Sequence, residues 1–207
     1  MSQSQINNFD RLEQYVISIP KTETSDIASV GKYLRRGAKT KKEIIARIYF
    51  WLAENIEYDW DAFLNKRQID VSAIYTFENK KSVCAGFANL FKSICDNANI
   101  KCVIIKGYAK GYGYVGERLS EPNHDWNAVK LYDKWELIDP TWGGGFLLND
   151  RKIWCARYLF DDPNDFILEH LPEDEEWQLL ENKITIDTFF SAEMEKKRKI
   201  RNGEIEE

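Results

Sequence analysis

The stretch "KKSVCAGFANLFKSIC", residues 80–95, sets a cysteine directly after two lysines and directly before an apolar run with helical spacing. Val83, Phe87, Leu90, Phe91 and Ile94 fall on one stripe, and Ser82 stands where an N-cap is expected. Cys84 therefore opens the helix and does not sit in its core-facing middle. A thiol with a pKa near ~8.5 is mostly protonated at neutral pH and is then a poor nucleophile. The first turn of a helix carries positive potential, and Lys80 and Lys81 are placed to add to it. The position favours a thiolate. A working nucleophile also needs a base, and a group to orient that base.

Two histidines are present. His124 opens "HDWNAVKLYDKWELIDPTW", which reads as two strands joined by a tight turn near Asp133-Lys134. His170 lies among acids in "ILEHLPEDEE" and reads as structural or surface. Asp139 ends the second strand, just before Pro140. A turn at Asp133-Lys134 puts His124 and Asp139 on one face, but sets Asp139 opposite Ala128, ~13 Å along the strand from His124. A bulge, a different turn or sheet twist has to close that gap.

Outward from these segments, the 207 residues favour one domain. With 43% hydrophobic and 14% aromatic residues the chain can bury a sizeable core. A net charge of −5 and a pI near 5.3 argue against a nucleic-acid footprint. The basic run "EKKRKIR" near the C-terminus reads as a solvated helix face. No apolar stretch approaches the ~20 residues that span a bilayer. The polar "MSQSQINNF" has no signal-peptide apolar region, which leaves localisation between cytoplasmic, if Met1 is the native start, and exported, if a signal was removed. Cys95, Cys102 and Cys155 read as buried thiols; without a CxxC pair a zinc site has little support, and no metal or cofactor is expected.

The first third reads as helical. "FDRLEQYVISI" carries Phe9, Leu12, Val16 and Ile19; a second helix carries Ile27, Val30 and Leu34 and ends at "RRGAKT". Thr40 caps the longest helix, "KKEIIARIYFWLAENI", whose stripe of Ile44, Ile48, Trp51, Leu52 and Ile56 is core packing. Residues 58–79 are less regular. "KCVIIKGYA" is a short strand, "GYAKGYGYVGE" a loop before the histidine strand, and "TWGGGFLLND" a flexible turn that lacks the lysine and serine of a phosphate loop. "RYLFDDPNDFILEH" leads into a loop through Pro172 and a last helix from about Asp187. Helices first, then a central helix and antiparallel strands, make the class α+β.

The order of the three segments resembles the transglutaminase-like superfamily, which has a papain-like core. "VCAGFANLFKSICDNANI" is similar to its nucleophile helix, "HDWNAV" to its histidine strand and "WELIDPTWG" to its aspartate strand. "IYFWLAENIEYDWDAF" resembles the helix preceding that core, and "YLFDDPNDFILEHLPEDEEWQLL" the extension of the kyphoscoliosis-peptidase branch. The resemblance covers about residues 40–190 and divides a single domain, 1–207, into N-terminal helices (1–39), a catalytic core (40–160) and a C-terminal extension (161–207). It implies Cys84 as nucleophile, His124 as base and later acid, and Asp139 as the orienting carboxylate. Tyr58 or Trp60 stands where relatives carry an aromatic oxyanion donor, and Trp126 and Trp142 flank the catalytic strand positions as cleft walls. The expected activity is cysteine-dependent cleavage of peptide or amide bonds in a protein or peptide substrate, through a thioester. The alternatives are a cross-linking transglutaminase and a non-catalytic binding module on the same fold. Oligomeric state stays open.

Overall fold

The computed structural model describes residues 11–205 except 13, 145, 149 and 150. Phe9 and parts of the glycine turn after Asp139 thus lie outside the described residues. The described chain forms two compact units: 11–104 with 126–160, and 105–125 with 161–205.

The first unit is built on helices whose ends the sequence marks with caps. α1 (Ile27–Arg35) starts at Asp26, whose side chain accepts from the Ser29 N–H at 2.8 Å. α2 (Lys41–Asn55) starts at Thr40 as expected, with Thr40 Oγ1 accepting from Glu43 N–H at 3.1 Å. Glu43 reaches back to the Lys39 N–H at 2.9 Å, a variant of the capping box. Ten consecutive residues of α2, Ile44–Ala53, are buried, so the apolar stripe is wrapped on all sides. Arg47, inside that stretch, is accommodated by donating to the carbonyls of Leu34 and Arg36 and pairing with Glu43 at 2.6 Å.

Residues 57–82, irregular in the sequence reading, form β1 (Glu57–Tyr58), α3 (Trp60–Leu64), α4 (Ala73–Asn79) and β2 (Lys81–Ser82). Asp59 caps α3 and Ser72 caps α4. β1 and β2 pair in parallel, Tyr58 opposite Ser82. α5 (Cys84–Asn97) follows at once. Phe87, Leu90, Phe91 and Ile94 of α5 join Ile45, Ile48, Trp51 and Leu52 of α2 in one core. At ~25 cal/mol per Å² of apolar surface, each such side chain contributes about 1.5–3 kcal/mol of transfer free energy.

Five strands form a sheet in the order β8-β5-β4-β3-β9: β3 (Cys102–Ala109), β4 (His124–Leu131), β5 (Lys134–Ile138), β8 (Leu159–Asp161) and β9 (His170–Pro172). β3 and β4 run from one unit into the other. Between β5 and β8 lie the short helix α6 (Pro140–Gly143) and a hairpin of β6 (Phe146–Leu148) and β7 (Arg151–Ile153). The described residues after Asp139 thus form a short helix and a pair of antiparallel strands where the sequence suggested a flexible turn.

The turn joining β4 and β5 sits one residue earlier than expected. Leu131 pairs with Lys134, and Tyr132, at φ 53°, takes the left-handed position. Asp133-Lys134 carries the commoner turn chemistry, whereas a left-handed tyrosine has no sequence signal. The shift changes the register: Ala128 faces Leu137 and Asn127 faces Ile138. Continued one step, the ladder sets Trp126 across from Asp139. His124 then keeps the same face but stands two residues from that position, ~7 Å along the strand, about half the expected offset.

The second unit has its own core of Ile167, Leu168, Leu171, Phe189 and Met194. β9 pairs antiparallel with β3, Ala109 opposite His170 and Gly107 opposite Pro172. The sequence left this piece as a loop because three residues ending in proline carry no strand period; on a sheet edge the missing N–H costs nothing. α7 (Pro163–Phe166) precedes it. The expected last helix is two, α8 (Ile186–Phe189) and α9 (Ala192–Arg201), because Ser191 caps anew at Met194. The buried Lys110 amine donates to the Phe189 carbonyl at 2.7 Å and lies 3.7 Å from Glu195. Arg201 pairs with Asp161 at 2.5 Å and Glu169 at 3.5 Å.

Candidate active site

Cys84 is the first residue of α5, partly exposed. The N-cap position is taken by Val83, not Ser82, and no side chain caps this helix. Ser82 is instead in β2 and fully buried. The Val83 carbonyl accepts from the N–H groups of Gly86 and Phe87, at 2.9 and 3.2 Å. The N–H groups of Cys84 and Ala85 precede any carbonyl that the helix offers them.

The two lysines that precede the thiol have partners of their own. Lys80, left-handed at φ 54°, lays its ammonium over the Phe77 ring at 3.6 Å and toward Trp51 at 5.4 Å. Lys81 pairs with Asp59 at 3.4 Å. The N–H of Ala62, then Lys81 and Arg67, hold the Asp59 carboxyl below the usual carboxylate range. The helix end at which Cys84 sits carries positive potential of its own.

What fixes α5 is tighter than propensity. Gly86 lies so close to β2 and α4 that an added Cβ would fall 1.9 Å from Ser82 Oγ and 2.5 Å from Thr76 Oγ1. The buried Asn127 of β4 donates to the carbonyls of Ala88 in α5 and Val103 in β3, at 3.2 and 3.1 Å. One amide therefore ties the helix that carries Cys84 to two strands of the sheet. Neither residue is legible as functional in one sequence.

Asp139 is fully buried and caps α6: its Oδ1 accepts from the N–H groups of Thr141 and Trp142, at 2.8 and 3.1 Å. Its backbone N–H donates to Tyr158 at 3.0 Å. The aspartate is thus a helix cap, and the two backbone donors fix the plane of its carboxylate. Gly143 closes the same helix against the Tyr49 ring, where a Cβ would come within 2.3 Å.

Tyr58 is the half-buried member of the aromatic pair. Burial first, then the charges of Cys84, Asp139 and Asp59, push its phenol above its ordinary value. It stays protonated and offers an O–H. Trp60 is 46% exposed and packs on Tyr58 with ring centroids 4.8 Å apart. Trp126 is fully buried, and Trp142 is half-buried, edge-on to Tyr158 at 5.0 Å.

In the second unit His124, the first residue of β4, is 8% exposed. Of the two sequence readings of His170, structural or surface, the second is overturned: it is fully buried, its ring centroid 5.6 Å from that of His124 and stacked at 4.1 Å on Phe166. Pairing of β9 with β3 puts it there, a long-range event that its acidic neighbours conceal. Cys95 and Cys102 are buried and Cys155 is half-buried, and none of the four cysteines is in a disulfide. Burial and the neighbouring Cys102 thiol push Cys95 up, as fits an inert core thiol. Among the described residues no helix is long and apolar enough to cross a membrane.

A family model described as the transglutaminase-like superfamily matches residues 28–140, more than half of the chain. The chain belongs to the transglutaminase-like superfamily. The matched span holds Tyr58, Cys84, His124 and Asp139. The chain is 32% identical over 181 residues to human kyphoscoliosis peptidase, covering 84% of this chain and 27% of that protein. It is 38% identical over 117 residues to hillarin of Drosophila melanogaster, covering 48% of this chain and 14% of hillarin. A crystal structure described as that of a TGase aligns with a TM-score of 0.42 at 16% identity, over 75% of this chain and 41% of that one. The chain thus spans about a quarter of the length of the kyphoscoliosis peptidase it matches. The fold is α+β, with helices and an antiparallel sheet, as expected from the sequence.

Proposed function

We propose that this protein is a cysteine-dependent acyl-transfer enzyme that cleaves peptide or amide bonds of a protein substrate. Cys84 is the nucleophile, His124 the base, Asp139 the orienting carboxylate and Tyr58 an oxyanion donor. The observation that carries the reading is the bare start of α5, where a partly exposed thiol sits on a helix end that no side chain caps.

The chemistry follows from the parts. The imidazole of His124 takes the thiol proton and the sulfur attacks the carbonyl carbon, forming a C–S bond while the carbonyl oxygen gains charge. The Cys84 N–H and the Tyr58 O–H receive that charge. As the oxyanion collapses, the C–N bond breaks and the departing amine takes the proton from the imidazolium. Water, deprotonated by the same imidazole, then releases the acid from the thioester and restores the thiol. Asp139, its Oδ1 fixed by two backbone donors, presents Oδ2 to imidazole Nδ1–H and sets the tautomer. The new register supports this pairing, since it halves the offset between His124 and the position facing Asp139.

Reaction with p-nitrophenyl acetate tests the reading. The expected result is a burst of about one nitrophenolate per chain and an acetyl adduct on Cys84, both absent in Cys84→Ser and His124→Ala. Nitrophenolate release without a burst or an adduct on Cys84 would remove the nucleophile. The same acyl-enzyme offered a fluorescent primary amine separates hydrolysis from cross-linking: we expect the free acid to dominate.

A further inference from the structure

α3 carries Trp60, Phe63 and Leu64 at positions i, i+3 and i+4, one face of the helix, and leaves them 46%, 41% and 61% exposed. Tyr58 joins them: ring centroids are 4.8 Å apart for Tyr58–Trp60, 5.8 Å for Tyr58–Phe63 and 5.9 Å for Trp60–Phe63. Charged groups rim the patch, with Arg67 bridging Asp59 and Asp61 and Lys81 on Asp59. An exposed apolar cluster with a polar rim has the anatomy of a contact site.

Its place in the fold says what it contacts. The backbone of Tyr58 is paired to Ser82, two residues before Cys84, and Asp59 N–H donates to the Ser82 carbonyl at 2.8 Å. The Tyr58 ring also lies 6.3 Å from Phe87, one turn into the nucleophile helix. The patch is therefore continuous with the first turn of α5. A substrate acylating Cys84 brings its neighbouring residues to that turn, advancing ~3.3 Å per residue if extended.

We infer that Trp60, Phe63 and Leu64 form a specificity subsite for a large apolar side chain, one or two residues from the attacked carbonyl on its acyl side. This rests on the reading of Cys84 as nucleophile. The patch selects polypeptide substrates with an aromatic residue beside the cleaved amide. Tyr58 is its inner wall and the rim charges hold the polar backbone of the bound chain.

Three chloromethyl ketones test it: acetyl-Phe-Gly, acetyl-Gly-Phe and acetyl-Gly-Gly, in which the Cys84 sulfur displaces chloride. The readout is the ratio of each Phe probe's alkylation rate at Cys84 to that of the Gly-Gly probe in the same protein, so that differences in thiol reactivity cancel. We expect a ratio of about ten or more for one Phe probe, falling toward one in Trp60→Ala and in Leu64→Ser. A ratio near one in the parent, or one that both variants keep, overturns the subsite while fast labelling by iodoacetamide leaves the nucleophile standing. Failure of iodoacetamide to label Cys84 removes the nucleophile and the subsite together.

Discussion

Two helix starts in the first unit are built in opposite ways. α6 begins with Asp139, whose Oδ1 accepts from two backbone donors, whereas α5 begins with Val83, which caps nothing. Among the described residues every other labelled α-helix has a side-chain cap: Asp26, Thr40, Asp59, Ser72, Asp139, Asp162, Thr185 and Ser191. A missing cap costs a helix about 1 kcal/mol. A helix of fourteen residues, seven of them buried, tied down by Asn127 and seated through Gly86, carries that cost at α5. What the omission leaves is a pair of backbone donors next to a thiol. The contrast places rigidity at the acid and open hydrogen-bonding capacity at the sulfur.

The comparison breaks most sharply at Asp139. Asp139→Asn keeps an oxygen to cap α6 but removes the carboxylate, so turnover is expected to fall a hundredfold or more while the melting temperature hardly moves. Equal losses of turnover and stability would make Asp139 a cap and nothing else. Asn127→Leu should cost about 1–3 kcal/mol in denaturant unfolding, because the carbonyls of Ala88 and Val103 each lose a donor. In Gly86→Ala the new methyl group meets Ser82 and Thr76, and a loss of about 1–3 kcal/mol is expected; Gly86→Ala with Ser82→Gly should recover part of it. Val83→Asn gives α5 the cap it lacks. Stability should rise by about 0.5–1 kcal/mol as the new side chain accepts from the Ala85 or Gly86 N–H, and turnover should drop several-fold as the helix end beside the sulfur loses part of its positive potential. A more stable protein with unchanged turnover would detach the bare cap from function.

Much of this was legible in the text of the chain, and what was not has physical reasons. The stripes of α2 and α5 are long enough to show their period, and Thr40 announces its helix. α3 and α4 span 5 and 7 residues, too short for a period to emerge, although Asp59 and Ser72 are cap signals in retrospect. Cys84, His124 and Asp139 stand out as candidates because their neighbours resemble a family; the register of the two strands is not legible, since a tyrosine takes the turn position better suited to aspartate. His170 beside His124, Lys80 on Phe77 and Asn127 bridging three elements are tertiary facts with no local signature.

The most direct measurement is the rate of iodoacetamide alkylation at Cys84 at about pH 6, set against N-acetylcysteine, in the parent and in His124→Ala. A nucleophile drawn out by imidazole at a bare helix start should react at least tenfold faster than the small thiol and lose that margin when His124 is removed. A Cys84 that reacts no faster than N-acetylcysteine, and equally with or without His124, would contradict the account.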